Sequence, residues 1–114
     1  LIATKMLDDQ RFAQLWVDHL RRRGTSTRMI DKKLREKGLD SAVIAHALQA
    51  YTPDDGGDPE RASASAYARR RRLGPFRQPF DPDPHRRRKD LAAMARAGFS
   101  YGLACDVLKP PTDG

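Results

Sequence analysis

Residues 34–40 read LREKGLD, and residues 94–100 repeat the arrangement as MARAGFS. Each stretch has an apolar residue, a glycine four positions later, a second apolar residue, and then Asp40 or Ser100. A glycine after the last helical turn takes the left-handed conformation, the apolar residues close over it, and the polar residue caps the next helix. The stretches therefore predict two helix-turn-helix corners, whose glycines, Gly38 and Gly98, lie 60 positions apart.

The repetition continues into the helix that follows each corner. At the same offset of 60, three further pairs match, namely Val43 with Leu103, Ala47 with Val107, and Leu48 with Leu108. A cap, a turn and an apolar side that recur together indicate internal repeats. No stretch alternates with the period of a strand. The sequence therefore predicts an all-α fold of tandem three-helix repeats, which form an elongated helical array.

A first helix should precede the corner at residues 34–40. Four apolar residues recur there at helical spacing and predict its buried side, namely Phe12, Leu15, Trp16 and Leu20. Asp8 is placed to cap this helix and Gly24 to end it, which gives expected bounds of residues 9–23. A second helix follows the capping residues 25–27, and Asp40 begins a third.

The chain divides into segments at its changes of composition. We expect three-helix repeats at residues 8–50 and 58–109, joined by a linker at residues 51–57 that contains PDDGG. The second repeat should contain a long Pro-rich loop at residues 73–84. Residues 1–7 are expected to be the remnant of a preceding repeat in a longer chain, and residues 110–114 to be a tail.

Composition and charge limit the classes of function. The chain has 114 residues, of which 39% are hydrophobic and 32% charged, and a net charge of +7. This length leaves no room for separate cofactor and substrate domains, and a pI near 10.1 favours a polyanion or an acidic protein surface as partner. The lone Cys105 excludes an internal disulfide, and no run approaches the ~20 apolar residues of a membrane span. We expect a monomeric, cytoplasmic protein with no membrane partner.

Groups that could carry catalysis or bind a metal are few and scattered. His19, His46 and His85 share no helical face, and none pairs with Cys105 at a zinc-ligand spacing. The adjacent carboxylates at positions 8 and 9 would point about 100° apart on a helix, so helix capping explains them better than acid-base chemistry. We predict a protein that is not an enzyme and has no cofactor, no metal and no small-molecule substrate.

Clusters of arginine and lysine are the candidate binding residues. Three of them are Arg21, Arg22 and Arg23; Arg69, Arg70, Arg71 and Arg72; and Arg86, Arg87, Arg88 and Lys89. The first two lie at helix ends, where positive charge is stabilising without any partner, so structural and binding roles are equally expected. The third lies at a helix start, where the helix dipole disfavours cations, and binding is the favoured explanation. Arg28, Lys32 and Arg35 are further candidates, with an ordinary solvated helix face as the alternative.

Aromatic residues are expected to divide between the core and the surface. Phe12 and Trp16 lie at core spacing and are not predicted to stack on nucleic-acid bases. Phe76 and Phe80 lie in the Pro-rich loop, and they are better candidates for contact with a partner.

Three stretches of the chain resemble the RecX family of bacterial recombination regulators. They are LDDQRFAQLWV at residues 7–17, LREKGL at residues 34–39 and RAGFSY at residues 96–101. Their order and spacing resemble the second and third repeats of that family. The chain departs from the family pattern at Ser26, where a second glycine is common, and at Lys33, where an acidic residue is common.

The resemblance implies a regulator of recombination, DNA repair and the SOS response. Such a protein binds the RecA recombinase filament on single-stranded DNA, lies along the filament groove, and inhibits filament extension and ATP hydrolysis. From the residues alone, arginine clusters on a narrow helical array could meet acidic side chains or nearby phosphates. Two alternatives remain open at this point: a direct nucleic-acid-binding regulator that acts through its arginine clusters, and an adaptor for an unrelated acidic protein.

Overall fold

The computed structural model describes the backbone of residues 2–110 and the side chains of residues 8–110. This part of the chain forms α1 (Ile2–Arg22), α2 (Thr27–Glu36), α3 (Ser41–Ala50), α4 (Pro59–Arg71), α5 (Pro84–Arg96) and α6 (Tyr101–Val107), with a 3-10 turn at Gly74–Phe76. Residues 2–110 contain no strand, and the all-α prediction is confirmed. None of these helices is both long and apolar enough to cross a membrane.

Each group of three helices encloses its own apolar core. The first repeat, α1 to α3, buries Ala13, Val17, Leu20, Ile30, Leu34, Val43, Ile44 and Ala47. The second repeat, α4 to α6, buries Ala64, Ala68, Leu73, Met94, Phe99, Ala104, Val107 and Leu108. Two separate cores confirm the prediction of tandem three-helix repeats.

The two corners form as the sequence predicts. Gly38 and Gly98 have φ angles of 88° and 98°, in the left-handed region that favours glycine. The amide after each glycine donates to a carbonyl five residues earlier, Leu39 to Leu34 at 3.2 Å and Phe99 to Met94 at 3.1 Å. Asp40 and Ser100 then cap α3 and α6 with their side chains. The closed turn fixes the angle between two helices in each repeat.

The start of α1 differs from the prediction. The helix begins at Ile2, so Asp8 lies inside it and does not cap it. Phe12 and Leu15, which we expected in the core, are 42% and 65% exposed. Trp16 is only partly buried at the edge of the first core.

The buried side of α1 is the stripe Ala13, Val17 and Leu20, of which the sequence predicted only Leu20. Ala13 and Val17 each follow a predicted core residue by one position, and together with Leu20 they pack in one core with residues of α3. Gln10 and Gln14, on the same side, donate side-chain hydrogen bonds to carbonyls of α3 at 3.4 and 3.3 Å. Ala13 is fully buried in this contact, whereas the larger Phe12 and Leu15 lie on the exposed side of the helix.

The molecule is elongated, with principal extents of 58 × 26 × 20 Å and a radius of gyration of 16.4 Å. A compact domain of this length would have a radius of gyration of about 13 Å. The two repeats meet where α4 packs against the end of α1. The elongated array is therefore confirmed for the described residues.

The Pro-rich connection between α4 and α5 is ordered by one buried carboxylate. Asp90 on α5 accepts a hydrogen bond from the Gly74 amide at 2.9 Å and two from the Arg77 guanidinium at 3.0 and 2.9 Å. Phe76 in this connection packs against the second core. Of the expected tail, residues 111–114 lie outside the described residues, as does residue 1 at the other end.

Candidate interaction surface

The cluster at residues 86–89 does not form one patch, because successive helical residues point about 100° apart. The Arg86 Nε atom lies 3.7 Å from the Asp81 carboxylate on the surface. Arg87 turns the other way and donates to the Leu108 carbonyl at the end of α6, at 2.8 Å. Arg88 and Lys89 are exposed. Arg87 therefore has a structural role as a cap of α6, and the expected binding cluster is divided.

The cluster at residues 69–72 is divided as well. The guanidinium of Arg69 lies 5.5 Å from the ring centroid of Phe76, and that of Arg71 lies 5.3 Å from the ring centroid of Tyr67. Arg72 ends α4 in the left-handed conformation, with a φ of 55°. Only Arg70 and Arg71 line a surface groove between the repeats.

Arg21 is not a surface residue, which corrects its place among the candidate binding residues. Its side chain is 5% exposed, and it donates to Glu60 at 3.0 Å, Ser63 at 3.1 Å and the Thr27 hydroxyl at 2.6 Å. The charge of Arg21 is thus paired inside the contact between the repeats, where it holds α1 against α4. Its neighbours Arg22 and Arg23 remain exposed.

The structure brings other cations together in a groove that crosses both repeats, which we call the junction groove. One half is lined by Lys33 of α2, Arg70 and Arg71 of α4, and Arg96 of α5. The other half is lined by Arg28, Lys32 and Arg35 of α2, by Asp31 and Glu36, and again by Arg96. Met29 borders both halves. Both halves are open to solvent, and in each the cationic side chains outnumber the acidic ones.

Local helix geometry places the cations of α2 in this groove. Arg28, Lys32 and Arg35 lie at intervals of four and three residues, so they share one side of the helix. Arg35 also pairs with Asp31 through a contact of 2.8 Å between two half-exposed side chains. Such a pair keeps the guanidinium at the surface and contributes little to stability. The three predicted candidates on α2 therefore lie together, with their charges accessible.

Lys33 and Arg96 were not among the predicted binding residues. Lys33 is exposed on α2, and Arg96 is exposed in the last turn of α5. A sequence signal for Arg96 existed, since it precedes the corner glycine by two positions in RAGFSY. Their proximity arises because the end of α5 meets the start of α2, where the Ser26 hydroxyl donates to the Ala97 carbonyl, and no local pattern encodes this contact.

The aromatic residues take positions different from those expected. Phe12 and Trp16 lie on the outer side of α1 with ring centroids 6.2 Å apart, and Lys37 lies 4.2 Å from the Trp16 ring. Phe76 is half-buried beneath Arg69. Phe80 lines a small apolar cavity of about 100 Å³ near the end of α6. No aromatic residue except Tyr67 borders the junction groove in the described part of the chain.

Two groups outside the groove have perturbed acidity. The side-chain hydrogen bond from Arg77 to Asp90 raises the pKa of Arg77 above its ordinary value, which keeps this ion pair charged. The interaction of Tyr101 with Cys105, one turn along α6, raises the pKa of Tyr101. Neither group lines the junction groove.

Comparison with known proteins gives consistent matches. Residues 8–48 match the family model described as RecX, second three-helix domain. The chain is 41% identical over 95% of its length to the regulatory protein RecX of Myxococcus xanthus, of which it covers 56%. It is 35% identical over 99% of its length to the regulatory protein RecX of Corynebacterium efficiens, of which it covers 53%. The protein of the same name from Agrobacterium fabrum is 33% identical over 96% of the chain, which covers 55% of it.

The chain thus spans about half the length of the curated relatives it matches. No solved structure matches it at a comparable level of significance.

Proposed function

Because this chain belongs to the RecX family, we propose that it acts on the RecA recombinase filament on single-stranded DNA. In this proposal it inhibits filament extension, ATP hydrolysis and recombination, in the cytoplasm and without a cofactor. The observation that carries the proposal is the junction groove, whose cations come from both repeats.

The shape of the array supports binding to a repetitive partner. An extent of 58 Å allows contacts with more than one subunit of a filament, and each added contact acts at high effective concentration. Arginine guanidinium groups make paired hydrogen bonds to carboxylates and phosphates, which are stronger than bonds between neutral groups. An acidic segment of the filament that enters the groove would therefore contact both repeats at once.

Charge reversal in the groove tests this function. The double variant Lys33→Glu/Arg96→Glu removes two exposed cations and adds two carboxylates. We expect its inhibition of DNA-dependent ATP hydrolysis by RecA to fall by about tenfold or more, because opposed charges become like charges. The readout is the concentration of this protein that halves the hydrolysis rate.

The matched control is Arg22→Glu/Arg23→Glu, which changes the net charge equally at exposed positions outside the groove. Inhibition by this variant should stay close to that of the unmodified protein. Equal losses in both double variants would show that only net charge matters, and the groove would lose its assigned role. Absence of any effect of the unmodified chain, in stoichiometric excess, on hydrolysis and strand exchange would refute the function itself.

Direct binding to nucleic acid is the second candidate function. The observation that favours it is the half of the groove lined by Lys33, Arg70, Arg71 and Arg96, because no acidic residue lines that half. Binding to single-stranded DNA without RecA, with an affinity that falls by orders of magnitude between low and physiological salt, would support this function. A pull-down that recovers an unrelated acidic protein, and no RecA, would instead support an adaptor.

A further inference from the structure

One half of the junction groove is lined by cations and, among the described residues, by no acidic residue, and we call it the acid-free half. Its charged residues are Lys33, Arg70, Arg71 and Arg96. We propose that this half is a binding site for a short condensed phosphate chain, such as the triphosphate of a nucleotide or free inorganic tripolyphosphate. The ligand is a small molecule, and its binding needs neither RecA nor DNA.

The cations of the acid-free half have no anionic partner in the described part of the chain. In the other half of the groove, Arg35 pairs with Asp31 at 2.8 Å. No ion pair of the described residues includes a cation of the acid-free half. The guanidinium of Arg71 lies 5.3 Å from the Tyr67 ring centroid, a contact that positions the charge without neutralising it. Like charges gathered in this way repel one another, so an anion that enters the space is attracted by all of them at once.

The floor of the acid-free half is held by close packing of the two repeats. A Cβ atom on Gly24 would lie 2.6 Å from the amide nitrogen of Tyr67, so the two backbones touch there. The Ser26 hydroxyl donates to the Ala97 carbonyl at 2.8 Å, and Ala97 lines the same half. Cations from α2, α4 and α5 therefore surround a floor that is in place before the ligand arrives, which reduces the entropy lost on binding.

The size and the donors of the acid-free half select the class of ligand. Its volume is about 360 Å³, near the lower end of the range for small-molecule sites, roughly 300 to 1,000 Å³. Arginine pairs with phosphate oxygens through two parallel hydrogen bonds, and lysine binds phosphate as a point charge. A planar carboxylate engages only one or two cations, whereas a phosphate chain presents oxygens on all sides. Thr25 lines the same space and adds a hydroxyl donor.

Such a ligand would regulate the junction groove. A bound phosphate chain would occupy the cations that an acidic segment of the filament needs, so the two would compete and inhibition would weaken. This regulation rests on the proposed function, whereas phosphate binding by the isolated chain does not.

Calorimetric titration of the chain with sodium tripolyphosphate, at physiological ionic strength and without magnesium, tests the site. We expect saturation at a single equivalent of ligand. In the double variant Arg70→Gln/Arg96→Gln the affinity should fall by about tenfold or more, because two charge-assisted contacts are lost. The matched control is Arg22→Gln/Arg23→Gln, which removes the same net charge from exposed residues at the end of α1. Its affinity should change by less than about threefold, since distant exposed charges are screened by salt.

The stability of the variants separates loss of binding from loss of folding. Arg70 and Arg96 are exposed and lie in the last turns of α4 and α5, just as Arg22 lies in the last turn of α1. Both double variants should therefore keep the circular dichroism spectrum of the unmodified chain and unfold at similar urea concentrations. Tripolyphosphate should raise the urea midpoint of the unmodified chain and of the control, but not that of Arg70→Gln/Arg96→Gln.

ATP and AMP distinguish the two sources of the phosphate chain. AMP carries a single phosphate and should bind about tenfold or more weakly than tripolyphosphate, because it reaches fewer cations. Equal affinities for ATP and tripolyphosphate would show that the phosphate chain alone is recognised. Tighter binding of ATP would show that the nucleoside also contacts the groove, and a nucleotide would then be the ligand.

Absence of saturable tripolyphosphate binding at physiological ionic strength would overturn the proposal, and so would equal losses of affinity in the two double variants. A single-stranded oligonucleotide of equal charge that bound more tightly than tripolyphosphate would overturn it as well, and would assign the acid-free half to nucleic acid. RecA is absent from all these measurements, so their failure would leave the proposed function standing.

Discussion

Residues 23–26 join α1 to α2 in the first repeat, whereas residues 72–83 join α4 to α5 in the second. The helices that follow are equivalent at the offset of 60, yet Ile30 is replaced by Asp90 at a buried position. Ile30 fills the first core, while Asp90 binds Gly74 and Arg77 of the longer connection. The equivalent buried position of a three-helix repeat can therefore hold an apolar residue that fills the core, or a carboxylate that binds the preceding loop.

The helix pairs that complete the two repeats also differ. Gln10 and Gln14 join α1 to α3 through hydrogen bonds to backbone carbonyls. Arg61 and Asp106 join α4 to α6 through an exposed ion pair of 3.1 Å. The first repeat thus relies on partly buried bonds where the second uses a surface pair.

The largest expected loss of stability is at a core position that the two repeats share. Leu34 and Met94 are equivalent and fully buried. Leu34→Ala and Met94→Ala should each lower the free energy of unfolding by ~2 to 5 kcal/mol, because each leaves a cavity in a core. Urea denaturation measures both losses. A much smaller loss for one variant would show that its repeat contributes little to the cooperative unit.

The next largest loss of stability is expected at Asp90, where the second repeat differs from the first. Asp90→Ala should cost about 3 kcal/mol, the lower end for a broken buried ion pair, because the Arg77 side chain remains 21% exposed. The double variant Arg77→Met/Asp90→Ile, which imitates Ile30, should recover much of this loss. If the double variant were no more stable than Asp90→Ala in urea denaturation, the bond to the Gly74 amide, which both variants lack, would be the main contribution.

A smaller effect is expected at Trp16, since its ring is only partly buried. Trp16→Ala should cost roughly 1 to 2 kcal/mol, about half the value of a fully buried large apolar side chain. Urea denaturation of this variant measures the loss of unfolding free energy. A loss as large as that of Leu34→Ala would mean that Trp16 belongs to the core, as we first expected from its spacing.

The smallest effect is expected for the exposed pair between α4 and α6. Asp106→Asn should change the free energy of unfolding by less than about 1 kcal/mol, and added salt should reduce even that. The matched variant in the first repeat is Gln14→Leu, which removes a partly buried hydrogen bond and should cost about 1 kcal/mol at any salt concentration. If the loss of unfolding free energy depended on salt in both variants, the two helix pairs would not differ in the kind of interaction that joins them.

The corners could be predicted from the sequence because their bonds span five residues and depend on local residue types. The face of α1 could not be predicted in this way. The exposed stripe with Phe12 and Leu15 and the buried stripe with Ala13 and Val17 are displaced by about one residue along the helix. The buried stripe contains Ala13, whose small side chain adds little to a hydrophobic pattern. The larger side chains on the other stripe gave the stronger pattern and the wrong face.

The candidate site was predicted only in part for a similar reason. Arg28, Lys32 and Arg35 share a helix side, and their grouping follows from helical geometry alone. Arg96 joins them because the end of α5 meets the start of α2, although the two helices are more than 45 residues apart along the chain. Runs of arginine were a weaker guide, since helix rotation and an internal partner such as Glu60 separate neighbours that are adjacent in sequence.

Ser26 has a consequence for the mechanics of the array. Its hydroxyl accepts from the Met29 amide at 3.2 Å and donates to the Ala97 carbonyl at 2.8 Å, so a single atom belongs to the start of one helix and the end of another. A glycine here, the residue that the family resemblance leads one to expect, would supply neither bond. The contact between the two repeats is therefore held in this chain by one hydroxyl oxygen, which restrains the angle between the repeats at a point where a glycine would leave it free.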